Sequence, residues 1–200
     1  MNRGDFERRL RQFAPFAACS EAQIRALWQH YELLRLWNAR INLTRVIELE
    51  AAVRFHYAES LFVARQVPPE VRSAVDVGSG AGFPGFVLAV ARPELQVTLL
   101  ESDQRKAAFL REAGDFAPNV RVLARRSRDA EGHWDLAVSR AVRAEDVLEF
   151  ARRTADWVML VGTEPPAGGG FPEWDSSDLP DGRGKLWIRR LSVVPAESQD

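Results

Sequence analysis

The sequence predicts an α/β protein: a mostly parallel sheet with helices on both faces, behind a helical N-terminal cap over residues 1–70. Three observations carry this. Apolar residues recur at three- and four-residue steps in the first third of the chain. Beyond Pro68-Pro69, short apolar runs alternate with helical stretches, the texture of βαβ units. The first of those runs ends in a glycine cluster.

Ile24, Leu27, Trp28, Tyr31 and Leu34 mark one face of an amphipathic helix, with Ser20 placed to cap its start. A polar break from Asn38 to Thr44 precedes a second helical run, from about Glu48 to Val67. Pro68-Pro69 ends it, because proline forces the residue before it out of the helical region. Residues 71–200 then form the α/β domain. Ser73–Val77, Gln96–Glu101, Asn119–Ala124, Trp134–Ser139 and Asp156–Val161 read as strands, with helices at about 84–92, 103–114 and 143–153. Residues 163–184 hold four prolines and five glycines, which predicts a loop, lid or linker with no regular element. Lys185–Val194 predicts one more strand, paired antiparallel at the sheet edge.

Two hundred residues, 46% hydrophobic and 28% charged, suffice for one sizeable core plus an appendage. No run approaches a membrane span, and the charged N-terminus lacks the apolar centre of a secretory signal, which predicts a cytoplasmic protein. One cysteine, Cys19, excludes an internal disulfide and a cysteine-cluster metal site. His30 and His133 have no metal-ligand spacing, so no metal is expected. A net charge of -1 argues against a wholesale polyanion binder and leaves room for a local basic face. Of the 27 basic residues only Lys106 and Lys185 are lysines. Codon bias in a GC-rich genome explains most of that, and guanidinium recognition of phosphate can be added to it.

The strongest chemical signal is Val75-Asp-Val-Gly-Ser-Gly-Ala-Gly-Phe-Pro-Gly85. A strand running into a glycine turn and then a helix lets backbone amides approach a ligand closely. Glu101, at the end of the next strand, can accept hydrogen bonds from two ribose hydroxyls. A glycine turn with an incidental strand-end acid is the plain alternative. Asp76, the glycine spacing and Glu101 together favour a nucleoside cofactor. Gly78, Gly80 and Gly82 stand at the first, third and fifth positions, whereas a dinucleotide fingerprint has glycines at the first, third and sixth. This pattern is similar to the first motif of class I S-adenosylmethionine-dependent methyltransferases, which have a Rossmann-like sheet.

More of the chain resembles one family, the RsmG or GidB methyltransferases of guanine N7 in bacterial 16S ribosomal RNA. The matching pieces are Tyr31-Glu-Leu-Leu with Trp37-Asn38, Asn42-Leu-Thr44, His56 with Glu59-Ser60, Asp76 to Gly85, Arg92-Pro93, Leu99 to Ser102, Arg105-Lys106 with Phe109-Leu110, and Ser139-Arg-Ala141. They fall in the family's order across residues 27–142. The resemblance implies S-adenosylmethionine as cofactor and the 530 loop of 16S rRNA in the small ribosomal subunit as substrate; nothing in the sequence demands more than a monomer. It implies cofactor contacts at Asp76, Gly78, Ser79, Gly80, Gly82, Phe83, Glu101 and Ser102, and an adenine contact at Asp129 and Ala130. Arg140 would face both cofactor and RNA as the catalytic residue. Lys106, Arg125 and Arg126 would meet RNA.

The basic residues also have plainer readings. Arg105, Lys106 and Arg111 can be a solvated helix face, while Arg121, Arg125, Arg126 and Arg128 repel one another unless anions come near. His56, Trp28, Trp37, Phe55 and Tyr57 read better as cap packing than as ligand contacts. The family's Leu-Lys-Gly turn after the fifth strand is Leu160-Val-Gly162 here, so Val161 replaces a lysine. That departure keeps two alternatives open: a methyltransferase with another substrate, or a non-catalytic relative that binds cofactor and RNA or protein.

Overall fold

The computed structural model describes residues 2–15, 17–166 and 174–191. Four helical segments come first: α1 (Arg3–Phe13), α2 (Glu21–Asn38), α3 (Leu49–Ala52) and α4 (Glu59–Gln66). A π-helical turn, Val53–Ala58, joins the last two into one continuous helix. Asn2 and Ser20 cap α1 and α2 with reciprocal capping boxes, which satisfy amide groups that the helix itself leaves unpaired. α1 lies in a stretch for which only a general helical character was expected.

The sheet follows: β1 (Ser73–Val77), β2 (Gln96–Leu100), β3 (Val120–Leu123), β4 (Trp134–Arg140), β5 (Ala155–Gly162), β6 (Asp175–Asp178) and β7 (Lys185–Arg190). Helices α5 (Gly85–Ala91), α6 (Gln104–Gly114) and α7 (Ala144–Thr154) connect its parallel strands. The strand order is β3-β2-β1-β4-β5-β7-β6, with β1 to β5 parallel and β7 antiparallel to both neighbours. The order reverses between β1 and β4, where open α/β sheets bind ligands beyond the strands' C-terminal ends.

Two expectations need correction. Residues 163–184 contain a strand, β6: Asp175-Ser-Ser-Asp178 carries no proline or glycine and pairs with β7. For the same reason β7 is an inner strand, and β6 takes the edge. Residues 167–173 and 192–194, also part of those two expectations, lie outside the described residues.

Alternation along the strands divides the sheet between two cores. Leu99, Leu136, Val138 and Met159 join a core that runs on into α1, α2, α4, α5 and α6. Val75, Ala137, Val158 and Leu160 pack against α7 on the other face. The first core is continuous from Phe6 in α1 to Leu186 in β7, so the cap helices and the sheet share one interior. No helix among the described residues is long and apolar enough to cross a membrane.

Candidate active site

The glycine loop leaves β1 at Val77. Gly78, Gly80 and Gly82 all adopt positive φ (73°, 55° and 86°), a region that side chains disfavour. At Gly78 space also decides, because a Cβ there would run into the Val142 side chain. Asp76 holds the turn from beneath. Its Oδ2 accepts from Gly85 N–H at 3.0 Å, and its Oδ1 is buried with no partner. Burial pushes this carboxyl up to about 7, against the pull of the Gly85 amide.

From the neighbouring strand, Glu101 meets the same loop. One carboxylate oxygen accepts from Gly80 N–H at 2.9 Å and the other from Asp103 N–H at 2.8 Å. Each oxygen keeps a lone pair for a further donor. Beside this edge opens a cleft of about 470 Å³, whose walls include Gly78, Leu100, Ser102, Ser127 and Val142. Arg125, Arg126, Arg128 and Arg153 also line it, opposed by Asp146 and Glu149.

The cap closes the loop from the other side. His30 of α2 is fully buried, with Nε2 3.1 Å from the Ala81 carbonyl and Nδ1 2.7 Å from the Tyr57 hydroxyl. A carbonyl only accepts, so the proton is on Nε2 and Tyr57 donates to Nδ1. Burial holds His30 down at about 3, hence neutral. Phe83 lies among His30, His56 and Tyr57, stacked on His56 at 4.6 Å. No motif marked His30; its place in the buried face of α2 was the only available signal.

Arg140 ends β4 and reaches the π-helical turn. Nη1 donates to the Phe55 carbonyl (2.9 Å) and to Glu59 (3.1 Å), and Nη2 donates to His56 Nδ1 (3.0 Å). His56 Nδ1 also lies 3.2 Å from the Phe55 carbonyl; because a guanidinium can only donate, the Arg140 contact puts the His56 proton on Nε2, facing the Thr44 hydroxyl at 2.9 Å. Burial, then the Arg140 charge, lowers His56 to about 3. Burial raises Glu59 to about 7 against the pull of Arg140. The next residue, Ala141, has φ of 66° although it is not glycine, so the backbone is strained beside Arg140.

Comparison with known proteins settles which glycine-loop sheet this is. The family model described as GidB, rRNA small subunit methyltransferase G, matches residues 23–159. The chain belongs to that family. A ribosomal RNA small subunit methyltransferase G 1 from Syntrophobacter fumaroxidans is 39% identical over 191 residues, 91% of this chain and 81% of the relative. A methyltransferase G from Methylobacillus flagellatus is 43% identical over 150 residues, 70% of this chain and 71% of that one. Among solved structures, a SAM dependent methyltransferase from Aquifex aeolicus superposes with a TM-score of 0.54 at 14% identity. It covers 74% of this chain and 97% of its own, and bears on the fold alone.

The methyltransferase G fold brings most of the expected residues to one edge of the sheet. Gly78 and Ser102 line the cleft, with Arg125 and Arg126 at its wall. Asp76, Ser79 and Phe83 have side chains buried under the loop, so they shape it from below. Ser79 donates its hydroxyl to the Asp76 carbonyl at 2.8 Å. Ala130 is buried in the core under α7, and the exposed Asp129 lies 3.6 Å from Arg128. Ser127 and its flanking arginines form the cleft wall at that turn. Lys106 is half-buried in the first turn of α6 and is not among the cleft-lining residues. Val161 pairs with Arg140 on one side and Leu186 on the other. The nearby Lys185, opposite Gly162, places its ammonium 2.8 Å from Asp178.

Proposed function

We propose that this chain transfers a methyl group from S-adenosylmethionine to N7 of a guanine in the 530 loop of 16S rRNA, acting on the small ribosomal subunit as a monomer in the cytoplasm. Family membership over most of the chain supports the reaction class. The observation that carries the reading is the pairing of the glycine loop with Glu101, since a carboxylate bound to Gly80 fixes the loop and the ribose acceptor relative to each other.

The residues present fit the cofactor. Gly78 offers a backbone surface where any Cβ would collide with Val142. Gly80 continues the loop, Gly82 packs against His30 and Phe86 of the interior, Glu101 would accept from the ribose hydroxyls, and Ser102 and Ser127 line the cleft beyond. The adenine contact expected at Asp129 and Ala130 would come from the same turn, whose preceding residues Arg125 to Arg128 line the cleft. When bound, S-adenosylmethionine supplies an electrophilic methyl on a sulfonium.

The remaining work falls to the chain. Guanine N7 carries a lone pair and no proton, so the acceptor needs no general base. His30 and His56, both held neutral near 3, are suited to fixing geometry and take no proton from the base. Catalysis then rests on alignment. Arg140 and the loop around Ala141 orient the acceptor, and Lys106, Arg125 and Arg126 hold the RNA backbone.

Val161 in place of a lysine favours a second reading, the same transfer to another acceptor. Calorimetric titration with S-adenosylmethionine and NAD tests the cofactor: one site for the former and none for the latter is expected, and the reverse would overturn the assignment.

A further inference from the structure

Three N–H bonds of Arg140 are spent on the cap, and all three acceptors come from one turn: the Phe55 carbonyl, His56 Nδ1 and the Glu59 carboxylate. Among the described residues no hydrogen bond takes the Nε–H or the other Nη2 hydrogen. A guanidinium is a rigid planar fork, so fixing three donors fixes the direction of the remaining two. The ring of Phe83 lies 5.4 Å from its central carbon, and that ring is itself stacked on His56.

These acceptors differ from an ordinary surface pairing. The side chains of Arg140 and Glu59 are only 20% and 12% exposed, so solvent screens the pair weakly and a lost partner leaves a buried charge. His56 can accept only because it is neutral. Among the described residues of the cap, Val53–Ala58 is the one stretch with π-helical geometry, a distortion that is frequent at functional sites. Next to Glu59, Asp181 and Arg183 of the turn between β6 and β7 add charges of both signs, so the C-terminal hairpin joins the same cluster.

We infer that Glu59 and His56 are positioning residues for Arg140: the π turn of the cap and the first residue of α4 hold the guanidinium so that its two remaining donors meet the methyl acceptor at a set angle, and turnover depends on that hold. This rests on the function proposed above. The cap thereby controls the reacting edge of the sheet without touching substrate.

The test compares wild type with Glu59→Leu, which removes the acceptor, His56→Leu and His56→Asn, the last placing an amide oxygen where Nδ1 accepts. Methyl transfer to small subunits gives kcat and KM, and titration gives the cofactor Kd. Glu59→Leu and His56→Leu are expected to lose at least tenfold in kcat, with the cofactor Kd changed less than threefold, while His56→Asn retains most of wild-type turnover. Wild-type kcat in the first two variants, or equal loss in both His56 variants, overturns the inference. If wild type itself transfers nothing to RNA, the functional reading fails. The NMR signals of the Arg140 Nη hydrogens then decide the clamp. Separate signals in wild type that merge in Glu59→Ala support it, and one merged signal in both overturns it.

Discussion

The imidazole of His30, in the cap, donates from Nε2 to the carbonyl of Ala81, in the glycine loop, at 3.1 Å. The bond crosses from α2 to the sheet and is completed by Tyr57, which donates to the other ring nitrogen at 2.7 Å. The glycine loop is thus held by a buried chain of hydrogen bonds rooted in the cap. Stacking of His30 on Phe86, with ring centres 4.3 Å apart, fixes the ring's plane.

Tyr57→Phe removes the donor of that chain and leaves Nδ1 of His30 buried without a partner. The expected loss is about 1–3 kcal/mol of folding stability, the cost of a buried unsatisfied group. Denaturant unfolding measures it, and an unchanged midpoint would show that Tyr57 contributes packing alone.

The buried titratable groups predict an unusual pH profile of stability. His30 and His56 sit at about 3 instead of 6.5. Their contribution is therefore present above pH 6.5 and lost as pH falls toward 3. Glu59 and Asp76, both raised to about 7, work in the opposite sense. Their contribution is full below the ordinary carboxyl range and is lost as pH rises through 7. Between roughly pH 4.5 and 6.5 the two effects nearly cancel, so wild-type stability should be flat there. Asp76→Asn removes one raised carboxyl, and stability should then rise with pH by about 1.4 kcal/mol per unit in that window. A steep wild-type slope would contradict the cancellation.

Much of this site was legible in the sequence, for physical reasons. Alternating runs such as Ser73–Val77 and Gln96–Leu100 are buried on both faces, and strands of that kind read as short apolar stretches between turn residues. The glycines stood out because φ and space together exclude other residues at positions such as Gly78. Glu101 was recognisable from its distance along the chain. His30, Glu59 and the Phe55 carbonyl were harder, because their roles depend on how the cap packs on the sheet, and contacts between residues 51 to 85 positions apart leave no local pattern. β6 was missed because proline and glycine on both sides hid a strand held only by its partner, β7.

Glu101→Ala should weaken S-adenosylmethionine binding by about 1–3 kcal/mol, since two hydroxyls lose a charged acceptor. The same change frees Gly80 N–H and Asp103 N–H, which the carboxylate now holds. Calorimetry reads the affinity, and an unchanged Kd would remove Glu101 from the ribose site.

Arg125 and Arg126 are exposed at the cleft wall. If they track phosphates, the double variant Arg125→Ala/Arg126→Ala should bind RNA more weakly at low salt. The slope of log affinity against log salt should also flatten by about 1.4–1.8, two counterions' worth. Filter binding across a salt series measures this, and a parallel line would assign both arginines to solvated surface.

The most direct test is methyl transfer from labelled S-adenosylmethionine to small ribosomal subunits lacking the modification, followed by mapping of the product. Label on guanine N7 in the 530 loop is the predicted result, and would show that Val161 serves where the family has lysine. A protein that binds the cofactor tightly yet leaves the subunit unlabelled would contradict the proposed function.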